Sequence, residues 1–155
     1  EEERLEAAST IMRKMEESGF KLALTEDHVI ARELKDTGRT TVVDASRMPE
    51  DCLGLDIGPR TVKCFSDEIR KAKTVFWNGP MGVFEIEAFR AGTKAVGQAV
   101  ADSGAVSVVC GGDTGAAVAQ LGIADKMTHI STGGGAALEF LEGRELPGIA
   151  SLDDA

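Results

Sequence analysis

The sequence predicts an α/β fold built on a parallel sheet, and three features of the chain predict it. Short β-branched apolar runs recur with few polar residues inside them, as strands buried on both faces do. Stretches with helical spacing alternate with those runs, which is the order that lays helices on a sheet. Three of the runs end in glycine-rich turns. Together they describe a Rossmann-like, three-layer sandwich, expected as a single domain over residues 1–155.

The elements follow in order. Residues 3–18 place Leu5, Ala8, Met12 and Met15 on one helical stripe, and Gly19 is the expected stop. K-L-A-L-T (21–25) is short and apolar and is expected as a buried strand. T-T-V-V-D-A (40–45), T-V-F-W-N-G (74–79), A-V-S-V-V-C-G-G (105–112) and T-H-I-S-T-G-G (128–134) repeat the theme. Leu53, Gly54, Leu55 and the pair Gly58-Pro59 read as a tight, partly apolar turn. Helical stretches are expected over 67–73, over 86–104 with Phe89, Ala95, Val96 and Val100 inward, over 116–121 and over 136–143. No repeat, low-complexity tract or linker interrupts them.

Composition narrows the classes of function. The 18 glycines accompany an ordinary hydrophobic fraction of 43%, so they point to tight turns rather than disorder. A net charge of −9 lacks the basic face that nucleic acid requires, so no nucleic-acid partner is expected. No apolar run approaches the roughly 18 residues of a membrane span, and the start E-E-E-R-L is acidic, unlike a leader. The expectation is a cytoplasmic protein without a membrane partner. The chain lacks an initiator Met and reads as the middle of a longer polypeptide. Cys52, Cys64 and Cys110 are odd in number and lack C-x-x-C spacing, which fits reduced thiols rather than a disulfide frame or a zinc site. His28 and His129 are too isolated for a metal cluster and are expected as surface or packing residues.

Ligands of open α/β sheets bind beyond the carboxyl ends of the strands. W-N-G-P-M-G (77–82), C-G-G-D-T-G (110–115) and S-T-G-G-G-A (131–136) load three such ends with glycine. Any one of them is an ordinary tight connection. Three at one edge point to a phosphate ligand, because glycine leaves backbone N–H groups unshielded. Neither common nucleotide motif fits. Gly133 and Gly135 are followed by Leu138 where a dinucleotide fingerprint wants its third glycine, and Gly143 to Gly148 by Ile149 where a P-loop wants Lys.

Asp113 lies inside the second loop. A bare carboxylate would repel a phosphate by several kcal/mol at ~4 Å. A Mg²⁺ ion between them reverses the sign, since Mg²⁺ is typically held by one or two carboxylates plus substrate phosphates. Asp113 would then hold the metal directly or through water, and Thr114 would offer a hydroxyl and an N–H to a terminal phosphate. The alternative is that Asp113 only caps the next helix; the two neighbouring loops favour the metal. Glu85 has two readings of equal weight. It accepts from ribose hydroxyls, with Phe84 and Met81 against a base, or it is a helix N-terminal acid that favours the macrodipole.

W-N-G-P-M-G-V-F-E (77–85), G-G-D-T (111–114), H-I-S-T-G-G-G-A (129–136), L-E-G-R-E-L-P-G (141–148) and G-L-D-I-G-P (54–59), in this order and spacing, closely resemble the phosphoglycerate kinases. The resemblance runs from end to end of the chain and covers less than half of a full-length member, the latter part of its C-terminal nucleotide-binding domain. It implies a fold incomplete at its N-terminal side. It also implies a glycolytic phosphotransferase that moves a phosphoryl group between 1,3-bisphosphoglycerate and Mg-ADP, giving 3-phosphoglycerate and ATP. Carried over by position, Gly54 and Leu55 would line the adenine pocket, and Gly79, Met81 and Phe84 would contact the nucleoside. Glu85 would meet the ribose, Asp113 would serve Mg²⁺ and Thr114 the phosphates. Gly133, Gly134 and Gly135 would present N–H groups to the phosphoryl group in flight. Cys110 stands where the family often has glycine, and Ala137 where it usually has serine.

None of the 17 Lys and Arg falls within the three loops, yet a migrating phosphoryl group needs cationic partners. The resemblance places them elsewhere: a lysine-bearing loop earlier in the C-terminal domain, and a basic 3-phosphoglycerate pocket in an N-terminal domain. It also implies a monomeric full-length enzyme. The 155-residue chain is therefore expected to be inactive alone, with an uncovered edge or apolar face. The rival expectations are a non-catalytic nucleotide-binding module and a structural fragment.

Overall fold

The computed structural model describes residues 4–36 and 38–152. The E-E-E start, including the first residue of the helix expected over 3–18, lies outside the described residues. In chain order the elements are α1 (Leu5–Ser18), β1 (Asp27–Ala31), β2 (Thr41–Asp44), β3 (Leu53–Ile57), α2 (Pro59–Ile69), β4 (Thr74–Asn78), α3 (Ala91–Asp102), β5 (Val106–Cys110), α4 (Gly112–Gln120), β6 (His129–Ser131), α5 (Gly134–Leu141) and α6 (Pro147–Ala150).

The α/β class and the parallel sheet are as expected, with β4, β5 and β6 side by side in that order. Trp77 of β4 pairs with Val109 of β5, and Val109 with Ile130 of β6. These residues meet Val96 and Val100 of α3 and Val118 of α4 in the main core. Val100 and Val118 are spaced inward by helical periodicity, and Gly97 admits the Trp77 ring, since a Cβ there would lie 3.1 Å from it.

The N-terminal third departs from expectation. K-L-A-L-T (21–25) forms no strand; Leu22 and Leu24 stay 40% and 55% exposed, and no strand among the described residues pairs with them. The strand is instead D-H-V-I-A, two residues further on, at the centre of a separate antiparallel sheet in the order β2-β1-β3. Residues 53–55 are strand β3, not a turn. Tertiary bonds decide this region. The buried Asp27 carboxylate accepts from the backbone N–H of Arg60 at 3.0 Å and of Thr61 at 2.9 Å, capping α2 from across the chain. Thr61 Oγ1 donates to it at 2.7 Å and itself accepts the N–H of Glu26 at 2.9 Å. Gly58 must stay small here, because a Cβ would lie 2.3 Å from the Asp27 carboxyl carbon. Burial alone would raise the Asp27 pKa; the Thr61 and Arg60 bonds and the Arg60 charge outweigh it and hold the carboxyl below the usual range.

The accessible surface is 10424 Å² for 16.3 kDa, against about 7,500 Å² for a compact monomer of that mass. Much of the apolar excess sits on Leu5, Ile11 and Met12 of α1, on Phe20, Leu22 and Leu24 after it, and on Phe140, Leu141 and Ile149 at the other end. The α1 stripe thus forms as a helix that Gly19 ends in the left-handed region, but buries no residue.

Candidate functional site

Asn78, Cys110 and Ser131 close the three parallel strands in one row, so all three glycine turns leave from the same edge. Side chains and backbone then lock the turns together. Gly79 N–H donates to Thr114 Oγ1 at 2.8 Å, and Gly111 N–H to the Ser131 carbonyl at 3.1 Å. Gly134 packs so closely on the second turn that a Cβ would lie 2.9 Å from Gly111 Cα. Gly111 itself has φ 94°, a conformation that only glycine adopts without strain.

The first turn, 79–85, is a braced wall. Trp77 Nε1–H donates to the Gly79 carbonyl at 2.7 Å. Met81 and Gly82 both give their N–H to Thr93 Oγ1, at 3.0 and 3.2 Å, and Val83 gives its own to the Leu55 carbonyl at 2.9 Å. Thr93 stands in the first turn of α3 and is completely buried. Behind it, the buried Asp56 carboxylate accepts the N–H of Gly92 at 2.7 Å and of Ile57 at 2.9 Å. Burial pushes the Asp56 carboxyl above its usual range, and the two N–H bonds pull it partly back.

The other two turns are different. They run straight into α4 and α5, and no side chain caps either helix. The N–H groups of Gly112, Asp113 and Thr114 in α4, and of Gly135 and Ala136 in α5, meet no hydrogen-bond acceptor among the described residues. Two helix N-termini with unspent N–H groups and positive dipole ends thus sit against each other. Such helix starts are of the kind that suits an anion.

Asp113 is exposed in the first turn of α4 and caps nothing, which removes the alternative weighed for it from sequence. Among the described residues no three His, Cys, Asp or Glu side chains gather to cage a metal. The donor set suits a divalent cation that arrives with its phosphates and needs one carboxylate from the protein. The Thr114 hydroxyl is engaged by Gly79, which leaves its backbone N–H for a ligand. In the third turn Gly133 and Gly134 spend their N–H groups on Ser131 Oγ and the Thr132 carbonyl, so Gly135 and the unforeseen Ala136 carry the open pair.

Glu85 is exposed in the turn after Phe84 and belongs to no helix, so the macrodipole role falls away. Phe84 is buried, and Met81 is half-buried against the main core. Gly54 is exposed on β3, whereas Leu55 points into a small cluster with Ala31 and Phe89 against which Val83 of the wall packs, and its carbonyl accepts the Val83 N–H. A cavity of about 870 Å³ lies away from this edge, among Ile30, Arg32, Arg39, Thr41 and Pro49. Thr93 and Asp56 escaped the sequence reading. The signal available was a polar residue inside an apolar or glycine-flanked run, L-D-I and A-G-T.

The family whose model matches the chain, over residues 1–144, is described as phosphoglycerate kinase. The curated phosphoglycerate kinase of Clostridium botulinum (Type E3) is 54% identical over 154 residues, 99% of this chain and 39% of the relative. That of Rubrobacter xylanophilus is 56% identical over 142 residues, 92% of this chain and 36% of the relative. The structure of phosphoglycerate kinase from Coxiella burnetii superposes with a TM-score of 0.91 at 44% identity, covering 97% of this chain and 39% of that one. The Pyrococcus horikoshii phosphoglycerate kinase gives 0.69 at 38% identity, covering 81% and 31%. The chain spans about two fifths of the length of the curated relatives it matches.

Proposed function

The chain belongs to the phosphoglycerate kinase family, and from that membership we propose that it supplies the nucleotide half of a phosphoryl-transfer site. In this reading it makes up most of the C-terminal nucleotide-binding domain of a cytoplasmic, monomeric glycolytic kinase. Mg-ADP or Mg-ATP lies along the carboxyl edge of β4-β5-β6. The observation that carries it is the pair of converging helix N-termini with unspent N–H groups beside Asp113.

Each residue then has a physical task. The open N–H groups of Gly112, Asp113 and Thr114 hold the nucleotide phosphates. Those of Gly135 and Ala136, at the Gly133–Gly135 turn, face the phosphoryl group exchanged with 1,3-bisphosphoglycerate, whose charge they stabilise in the transition state. The Asp113 carboxylate serves the Mg²⁺ of the substrate, directly or through water. The braced wall bearing Gly79, Met81 and Phe84 positions the nucleoside, Glu85 accepts from the ribose, and Gly54 and Leu55 border the adenine. Among the described residues no Lys or Arg belongs to the three turns. The chain therefore binds nucleotide without turning it over, and 3-phosphoglycerate meets it only through the remainder of a full-length relative.

Calorimetric titration of ADP into the chain, with and without Mg²⁺, beside Asp113→Asn, tests this. Binding strengthened by Mg²⁺ in the wild type and not in the variant is expected. A chain that binds no nucleotide is a structural fragment instead, and a chain that makes ATP by itself overturns the division of labour.

A further inference from the structure

The structure assigns a positioning role to Thr93, a residue outside all three glycine turns: its one hydroxyl sets the wall against which the nucleoside is held. This rests on the nucleotide reading above and adds to it what decides the shape of the nucleoside end. The wall carries Gly79, Met81, Phe84 and Glu85 within seven residues, and a loop of that length has no internal ladder to define it. Trp77 of β4 holds its first carbonyl, and its N–H groups are held by anchors from three other elements. Thr114 of α4 takes the Gly79 N–H, Leu55 of β3 takes the Val83 N–H, and Thr93 of α3 takes two consecutive ones, from Met81 and Gly82.

Thr93 is the anchor that holds two consecutive residues of the wall, and its own position is over-determined. It is fully buried, and it sits next to Gly92, whose N–H is fixed by Asp56. Glycine at 82 and 92 is what allows this approach: a Cβ at either position would lie within 2.4 Å of Asp56 Oδ1. The carboxylate, the first turn of α3 and the wall therefore pack without slack. A hydroxyl is the group this spot requires. Its oxygen accepts two N–H bonds at once, in a side chain that is wholly buried. Valine has the same shape and accepts nothing, which leaves two half-buried donors without their partner in the protein.

The phosphate end is built from the N-termini of α4 and α5, and its bond to the wall runs from Gly79 N–H to Thr114 Oγ1, not through Thr93. Loss of the Thr93 hydroxyl is therefore expected to weaken nucleoside recognition and spare phosphate recognition, a split that general destabilisation does not produce. The experiment compares wild type, Thr93→Val and Thr93→Ser for calorimetric affinity towards Mg-ADP and towards Mg-pyrophosphate, and for amide hydrogen exchange at Met81 and Gly82. The expected result for Thr93→Val is at least tenfold weaker ADP binding, pyrophosphate binding within twofold of wild type, and at least tenfold faster exchange at both amides. Thr93→Ser restores all three. If Thr93→Val does not fold, Thr93→Ala removes the same hydroxyl and carries the same comparison. A Thr93→Val chain that binds ADP as the wild type does, or that loses ADP and pyrophosphate equally, overturns the assignment. A wild-type chain that binds neither contradicts the nucleotide reading instead; the anchor itself is then decided by the exchange at Met81 and Gly82.

Discussion

The wall at 79–85 and the two helix starts at Gly112 and Gly134 are all glycine turns from one sheet edge, yet they spend their backbone in opposite ways. The wall gives the N–H groups of Gly79, Met81, Gly82 and Val83 to acceptors in the protein. The helix starts keep five N–H groups free of any partner among the described residues. A surface whose polar groups are satisfied offers shape; one whose donors are unspent offers charge complementarity. Glycine serves the first by fitting against Asp56 and the second by letting two backbones touch. A glycine turn is thus not one device but two, told apart by where its N–H groups go.

The largest effect is expected where the two helix starts meet. Gly134→Val would put a side chain where even a Cβ lies 2.9 Å from Gly111 Cα, so the helix ends must part. Overpacking of that kind costs about 1–3 kcal/mol, and ADP affinity should fall roughly 10- to 100-fold. Gly115→Ala on the same edge meets only Ile130 at 3.7 Å and should bind as wild type does. Equal losses in the two variants would break the comparison.

Thr114→Val sharpens it from the other side. It removes the partner of the half-buried Gly79 N–H between the wall and α4, a loss of about 1 kcal/mol. Urea unfolding should show that loss, and an unchanged midpoint would mean that the wall is not held from α4.

Two buried carboxyls should give opposite pH dependence. Asp27 has a folded pKa below its unfolded one, so its contribution is present above the unfolded value of 3.8 and is lost as pH falls through the folded value. Asp56 has a folded pKa above its unfolded one, so its contribution is complete below 3.8 and is lost as pH rises through the raised value. In unfolding free energies measured against pH, Asp27→Asn should remove the acid-side loss, and Asp56→Asn the loss on the rising side. Identical profiles for wild type and both variants would refute the assignment.

The smallest effect on stability is expected at Asp113, which is exposed and unbonded. Asp113→Asn should move the unfolding free energy by less than about 0.5 kcal/mol, while Mg²⁺ ceases to strengthen ADP binding.

From residue 74 onward the sequence was legible, because one face of each element meets a continuous core. Trp77, Val96, Val109 and Val118 obey their periods, and the glycine turns fall where strands end. Before residue 74 local pattern served only in part: α1 and β2 lie where it put them, whereas the helix expected over 67–73 is α2, which runs from Pro59 to Ile69. K-L-A-L-T looks like a strand but lacks a partner, whereas D-H-V-I-A opens on an acid and becomes one because Asp27 is needed at the start of α2. L-G-L-D-I reads as a turn by its glycine and is a strand by its pairing with β1. In the site, the turns were visible, but the allocation of their N–H groups was not. That depends on Thr93, Thr114 and Ser131, whose acceptors reach the turns only in the folded chain.

The most direct test of the two-device account is a titration of the ¹⁵N-labelled chain with Mg-ADP, followed by amide resonances and by hydrogen exchange. The account predicts the largest amide shifts at Gly112, Asp113, Thr114, Gly135 and Ala136. It also predicts that Met81, Gly82 and Val83 remain slow to exchange before and after nucleotide is added. Shifts centred instead on the cavity beside Arg39 and Thr41, or fast exchange throughout the wall in the free chain, would contradict it.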